Sequence, residues 1–313
     1  MKWWYYLKNY VKNALPSFYF KWNYFRLIKK SQQLNLQEVN DRLNYYCKIN
    51  HSFVLPQEIL PISYFSKTKG TGYYLDLKEF FHYFRSKAKF AYHFGDELHI
   101  NSYPTLFKAR PLVVNNQNSV LFKLNKKRHF YFVNDILSFD QKLDKMVWRG
   151  GAYQENRKRF VEMFWNHPLF EIGQTNKPVQ DVPWQKKYMS VKEQLQYKFI
   201  YCGEGNDVAT NLKWAMSSNS LVFMPQPTCE TWFMEGVLVP NVHYVEIQSD
   251  FSDLITKMNF YIQNPNQAQL IINNAHQHVN RFKNQDLEDY LCIKVLEKYL
   301  ELSNQHEFIK FLN

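Results

Sequence analysis

The chain has 313 residues, 45% hydrophobic and 21% charged, which excludes an intrinsically disordered protein and leaves room for two cores of ordinary size. Its formal net charge of +11 asks for an anionic partner: a nucleotide, a phosphorylated glycolipid, a membrane surface or nucleic acid. Cys47, Cys202, Cys229 and Cys292 form neither CxxC nor Cys/His ligand spacing, so a reduced chain without structural zinc or disulfide framework is expected. No apolar run approaches the roughly 20 residues that span a bilayer, and no signal-peptide pattern opens the chain, so export is not expected.

Residues 1–30 hold seven Lys/Arg among eleven aromatics, beginning with Trp3, Trp4, Tyr5 and Tyr6, and no acidic residue precedes Glu38. Interleaved cations and amphipathic rings suit a lipid headgroup layer. The alternative is a first helix packed on its domain with a basic outer face. Base stacking on the same rings is less favoured, because no RNA-binding signature follows.

From residue 36 to 150 short helices and strands alternate. Leu75–Lys89 reads as a helix; Phe90–Phe94, Leu121–Leu124, His129–Val133 and Lys145–Trp148 read as strands, the last running into Arg149, Gly150 and Gly151. Glu155–Asn166 is helical in pattern. Such alternation indicates α/β layering with ligands at the carboxyl ends of strands. Residues 167–192 are polar, contain Pro168, Pro178 and Pro183, and are assigned to an interdomain connection.

The stretch Tyr197–Met224 has the pattern of a βαβ unit. An apolar run through Phe199, Ile200 and Tyr201 ends at Gly203 and Gly205. Asn206 or Asp207 is placed to cap a helix starting at Val208, with Leu212 and Ala215 on the same face, and Leu221–Met224 is the second strand. A helix N-terminus behind glycines receives anions, although the same spacing fits an ordinary βαβ unit. Beyond it, Glu230–Glu235 reads as a short helix and His243–Ile247 as a strand. Ser249 and Asp250 are placed to cap a helix bearing Phe251, Leu254, Met258 and Ile262. Pro265 opens the next, and Asp289–Leu302 is the last.

Several pieces in order resemble glycosyltransferase family 90, which holds bacterial lipopolysaccharide A proteins, fungal capsule-associated transferases and animal protein O-glucosyltransferases. They are FGDE (Phe94–Glu97), KARP (Lys108–Pro111), LNKKRHF (Leu124–Phe130), KMVWRGG (Lys145–Gly151) with Arg157, the stretch Gln196–Pro225, ETWF (Glu230–Phe233), and His243–Tyr244 with Ser249–Leu254. The resemblance implies an α/β fold of the GT-B type, two Rossmann-like domains facing a cleft. It implies an N-terminal acceptor-side domain over 1–180, a nucleotide-sugar-binding domain over 181–285, and a helix over 286–313 that packs back on the first.

The activity so implied is inverting transfer of a sugar from a nucleotide donor, typically UDP-linked, with no cofactor and no essential metal. A glycolipid or other glycan is the expected acceptor, at the cytoplasmic face of the inner membrane, with residues 1–30 on the bilayer and no nucleic acid as partner. A protein acceptor, or a non-catalytic basic binding module, are the alternatives. The donor-side candidates are Arg149, Gly150, Arg157, Gly203, Gly205, Asn206, Asp207, Val208, Ala209, Asn211, Lys213, Glu230 and Trp232. Animal relatives carry an arginine where Asn211 stands, so Lys213 is the nearby substitute cation. The tripeptide Ser102–Tyr103–Pro104 lacks the aspartate that serves those relatives as base. Asp96 is the first candidate for that role and Asp135 the second; either is equally suited to organising a turn.

Overall fold

A computed structural model describes residues 2–67, 70–177 and 181–311; Pro178, part of the expected connection, lies outside the described residues. The chain divides into two compact units. One, the helical unit, comprises Met1–Arg128, Cys229–Trp232 and Phe282–Asn313; the other, the sheet unit, comprises His129–Thr228 and Phe233–Arg281.

The chain begins with helices α1 (Lys2–Asn13), α2 (Ser17–Ser31), α3 (Leu36–Tyr46) and α4 (Thr71–Phe81). Strands β1 (Thr105–Phe107), β2 (Ala109–Pro111) and β3 (Ser119–Leu121) and the single turn α5 (Lys126–His129) follow. Next come β4 (Leu143–Gly150), α6 (Glu155–Phe164), β5 (Phe170–Gln174), α7 (Val191–Gln194), β6 (Tyr197–Tyr201), α8 (Leu212–Met216) and β7 (Leu221–Met224). The chain ends with β8 (Cys229–Thr231), β9 (Val245–Glu246), α9 (Leu254–Gln263), α10 (Pro265–Asn280) and α11 (Gln285–Leu302).

The sheet unit is built on five parallel strands in the order β5-β4-β6-β7-β9. Met146, Trp148, Phe199, Tyr201, Leu221 and Phe223 alternate onto one face, in a core shared with Phe160, Phe164, Phe251 and Met258. The intervening Val147, Ile200 and Val222 are as deeply buried, so both faces are covered. That is why these strands read as continuous apolar runs and were legible as strands. Renumbered in chain order, the sheet runs 2-1-3-4-5, and its winding reverses between β4 and β6.

The boundary expected near residue 180 falls inside this sheet, because β5 before it and β6 after it both flank β4. The polar segment between them is a crossover, not a linker. It folds back on β5 through Gln174 N to Trp184 O (3.1 Å) and Lys186 N to Gln174 O (2.9 Å), with Trp184 packed on the core.

The helical unit has no comparable sheet among its described residues; a Rossmann-like N-terminal domain is not what forms there. Its strands make a parallel pair, β1 with β3, and an antiparallel pair, β2 with β8. Phe90–Phe94 contributes one bridge, Tyr92 to Leu106, instead of a strand. Residues Glu230–Glu235 begin as strand β8, not helix, and α4 stops at Phe81 because the following chain pairs Phe84 with Ile309. His129–Val133, in the sheet unit apart from its helical start, is irregular, its Val133 N–H donating to Ser217 Oγ at 2.9 Å. In both cases tertiary pairing overrides local propensity. In the sheet unit, α9 starts only at Leu254, since Asp250 is occupied by Ser252 in a preceding turn.

Helix α11 packs against α2 and α3, and a buried carboxylate fixes it there. Glu288 accepts from Arg42 Nη2 (2.5 Å), Lys123 Nζ (2.7 Å) and Trp232 Nε1 (2.8 Å), while Tyr46 stacks on Trp232 at 3.7 Å. Arg42 and Glu288 are fully buried. Removing one member of a buried ion pair costs about 3–5 kcal/mol, because the opposite charge keeps its desolvation penalty. Glu288→Gln is therefore expected to lower unfolding free energy by that amount in urea or thermal melts. A change under about 1 kcal/mol, the scale of an exposed pair, would contradict this account.

Candidate functional site

At the winding reversal the carboxyl ends of β4 and β6 lie side by side, and both run into glycines. Strand β4 closes on Gly150 and Gly151; β6 continues through Cys202 into Gly203, Glu204 and Gly205. Arg157, in the first turn of α6, joins the two ends. Its Nε and Nη2 donate to Gly203 O (3.3 and 2.9 Å) and its Nη1 to Gly151 O (3.2 Å), with the guanidinium 5.9 Å from the Trp148 ring centroid.

Both glycines of the second turn sit against close neighbours. A Cβ on Gly205 would stand 3.0 Å from Arg157 Nη2, and one on Gly203 only 2.4 Å from the hydroxyl of Tyr201, which is buried and has no room to move. Around the rim, Asn156 Nδ2 donates to Glu204 O (3.1 Å) and Gln154 Nε2 to Asn206 Oδ1 (2.6 Å). Glu204 in turn accepts from Thr228 N (2.9 Å) and Thr228 Oγ1 (2.5 Å). Gly151, Glu204 and Gly205 remain partly accessible and Asn206 exposed, so the rim opens to solvent. Crevices at such reversal points, outside the carboxyl ends, are where open parallel sheets bind ligands.

The helix expected from Val208 begins only at Leu212 and spans five residues, Leu212–Met216. Residues 206–211 turn instead, with Gly205 N donating to Asp207 O (2.8 Å). Neither Asn206 nor Asp207 caps the helix, and Asp207, Val208 and Ala209 are buried. Asn211 donates through Nδ2 to Tyr201 O (2.9 Å), tying this turn to the end of β6. A helix this short gives little dipole, and the anion site shrinks to the glycine turns.

Several expected cations and carboxylates are already committed. Arg149 donates to Glu171 O (3.0 Å) and is ion-paired to the Glu171 carboxylate, which Lys186 also holds (3.0 Å); this is a strand-end ion pair, not an open phosphate grip. Lys213 is fully buried against Glu235, 5.4 Å from the Phe233 ring centroid, and does not substitute for the missing arginine. Glu230 is fully buried in the helical unit, paired with Arg110 Nε (2.7 Å) and with the Tyr45 hydroxyl. Trp232 is equally buried, stacked on Tyr46, and offers no face to a sugar.

Asp135 stands at the wrong end of the sheet. It accepts from Lys142 Nζ (2.7 Å), just before β4, and from Asn219 N (2.9 Å), just before β7, so it organises the amino ends of the strands. Asp96, in the helical unit, accepts from Tyr73 OH (2.7 Å) and Arg128 Nη1 (2.8 Å) and is bound by Lys108 Nζ. Burial works to raise its pKa. The Lys108 ammonium, the Tyr73 hydroxyl and the Arg128 guanidinium outweigh that and hold the carboxyl well below its usual range. Asp96 is thus ionised at neutral pH, and correspondingly weak as a base.

Of the donor-side candidates, the structure gathers Gly150, Gly203, Gly205, Asn206 and Arg157 into one rim, with Asn211 supporting it. Sequence reasoning missed Gln154, Asn156 and Glu204 as parts of that rim. Their partners lie 24 to 52 residues away, and nothing in their own spacing marks them.

These features define an α/β protein with two glycine turns joined at the carboxyl ends of a parallel sheet. The chain belongs to glycosyltransferase family 90: the profile described as "Glycosyl transferase family 90" matches residues 125–308. It is 42% identical over 264 residues to the "O-glucosyltransferase LpsA" of Dichelobacter nodosus, covering 84% of this chain and 83% of that protein. A shorter match, 32% identical over 91 residues, links 28% of the chain to 8% of "Uncharacterized protein 035R" of Invertebrate iridescent virus 3. The protein is therefore a glycosyltransferase.

Replacing Arg157 by Lys keeps the charge but removes the fork that reaches both glycine turns. The variant is expected to lose about 1–3 kcal/mol of stability, the cost of leaving the carbonyl of buried Gly203 unpaired. Its kcat/KM for the donor should fall at least about tenfold, equivalent to about 1.4 kcal/mol. Unchanged melting and kinetics would show that charge alone matters at this position.

Proposed function

We propose that the protein transfers a sugar, with inversion, from a UDP-linked donor to a hydroxyl of a lipopolysaccharide or related surface glycan. The observation that carries the reading is the pair of glycine turns stapled by Arg157 at the winding reversal. Glucose is the first donor sugar to test, from the name of the Dichelobacter relative.

In a single displacement, the acceptor oxygen bonds to the anomeric carbon as the bond from that carbon to the diphosphate oxygen breaks. The acceptor's proton passes to a carboxylate, and the leaving diphosphate carries away the bonding pair. Charge grows on the diphosphate along this path, so fixed backbone N–H groups of the glycine turns and the Arg157 guanidinium stabilise the transition state more than the ground state. No metal ion is assigned to this step. Asp96 stays in the proposal as the proton acceptor, since Asp135 is held among the amino ends of the strands.

UDP at millimolar concentration is expected to raise the melting temperature, by mass action on the folded state. Asp96→Asn is expected to abolish sugar transfer while UDP still stabilises the variant. The absence of any UDP shift would sink the donor assignment, and full transfer by Asp96→Asn would sink the base.

The acceptor side of the proposal includes contact with an anionic bilayer through α1 and α2. These helices are part of the core as well as of the surface: Phe20, Tyr24 and Leu27 are buried, and the Tyr24 hydroxyl donates to Glu297 (2.7 Å). Their other sides present Trp3 (64% exposed), Trp4 (66%), Phe18 (74%) and Trp22 (59%) beside Lys8, Lys21 and Lys29. No helix among the described residues is long and apolar enough to cross a membrane. Deleting residues 1–30 would remove core as well as surface, so point changes are the cleaner probe. The triple variant Trp4→Ser, Phe18→Ser, Trp22→Ser is expected to keep its melting temperature and bind phosphatidylglycerol vesicles at least about tenfold more weakly, in sedimentation assays. Undiminished binding would place the membrane contact elsewhere.

A further inference from the structure

The loop after residue 92 in the helical unit gathers three ligand-type side chains that the transfer chemistry does not use. His93 Nε2 lies 3.1 Å from Glu97 Oε2, and His99 Nδ1 lies 3.9 Å from the same oxygen. Ligand atoms of the three residues all fall within 4.8 Å of one another. We propose that His93, Glu97 and His99 form a three-ligand site for a divalent ion of the zinc class, in the loop that also carries Asp96.

The distances suit that ion. Zinc–nitrogen and zinc–oxygen bonds of about 2.0–2.2 Å at tetrahedral angles separate the ligand atoms by about 3.3–3.5 Å. The observed spacings bracket this range, so small side-chain rotations close the site. Two imidazoles and one carboxylate are the donor set of three-ligand zinc centres, which leave a fourth position for water. Magnesium and calcium prefer oxygen ligands throughout and are poorly served here.

The surroundings hold the ligands in place. The two imidazole rings meet edge to face at 4.5 Å, and both rest against buried Phe107, at 5.6 and 5.0 Å between centroids. The His93 backbone N–H donates to Leu106 O (2.9 Å). On the return of the loop, Asn101 Nδ2 donates to Thr105 Oγ1 (3.0 Å) and Asn118 Nδ2 to Asn101 O (3.0 Å). Gly95 turns the chain between the first two ligands; a Cβ there would sit 3.5 Å from His93 Nε2. Lys108 and Arg128, the cations drawn to this loop, are paired with Asp96. Both histidines and Glu97 remain partly exposed, which leaves the ion a path in. The four cysteines are buried and do not compete for it.

A bound ion would brace residues 93–99 and so fix Asp96, which lies between two of the ligands. The test uses the full chain without a histidine tag, stripped with EDTA. Titration calorimetry with zinc chloride is expected to show one ion per chain with Kd below about 1 μM, and zinc to raise the melting temperature where magnesium does not. Cobalt substitution is expected to give the visible absorption of a four-coordinate site. His93→Ala and His99→Ala should each weaken zinc binding at least about 100-fold. Glu97→Gln, at an exposed position outside the core, should do the same should either histidine variant fail to fold. UDP stabilisation serves as the control for the sheet unit. An absence of stoichiometric zinc binding would overturn the proposal. So would equal binding by the His93→Ala/His99→Ala double variant, which would trace the ion to exposed histidines such as His51 or His306.

Discussion

The guanidinium of Arg157 resolves a constraint set by the sheet unit's own topology. Where winding reverses between two parallel strands, the chains leaving them diverge and their last carbonyls lose ladder partners. Buried acceptors in that position cost about 1–3 kcal/mol each unless a donor reaches them. One planar fork reaches both Gly203 O and Gly151 O, and Gly205 leaves room beside it. The proposed donor site is thus built from the same feature that joins the two strand ends. This also explains why the proposal places the donor at one end of the sheet. At the amino ends Asp135, Lys142 and Asn219 satisfy each other.

The parts of the fold written in the sequence are those that local pattern determines. Strands β4, β6 and β7 are buried on both faces, so their apolar runs mark them. Pro265 marks the start of α10 because it tolerates the missing N–H of a first turn. What was illegible depends on distant partners. Cys229–Thr231 is a strand because Arg110 opposite Glu230 supplies a buried ion pair from 120 positions away. The expected helical start at Val208 gave way to a turn in which Gly205 N donates to Asp207 O and Asn211 takes the carbonyl at the end of β6.

The candidate site divides along the same line. Glycine pairs after apolar strands and an arginine eight residues beyond Arg149 were visible as motifs. Whether each charge faced solvent or a partner was not. Arg149, Lys213 and Glu230 carry side chains suited to diphosphate or sugar, yet Glu171, Glu235 and Arg110 already occupy them. Residue type gives chemical competence; only packing gives availability.

That distinction changes how the net charge of +11 is to be read. Arg110, Lys142 and Lys213 are buried, each against its own carboxylate, and buried Arg42 and Lys123 share Glu288, so most of this charge cancels at short range and adds little to the field outside. The excess must then be carried by exposed cations. Lys8, Lys21 and Lys29 are among them, on helices whose outer sides also expose Trp3, Trp4, Phe18 and Trp22. In water these rings stay exposed; a headgroup layer would give the rings an apolar boundary and the ammonium groups lipid phosphate. The same helices are anchored from beneath by Phe20, Tyr24 and Leu27. A surface so anchored is held in place before it meets any partner, so little conformational entropy would be lost on docking, and the membrane contact proposed above would need only a modest apolar area.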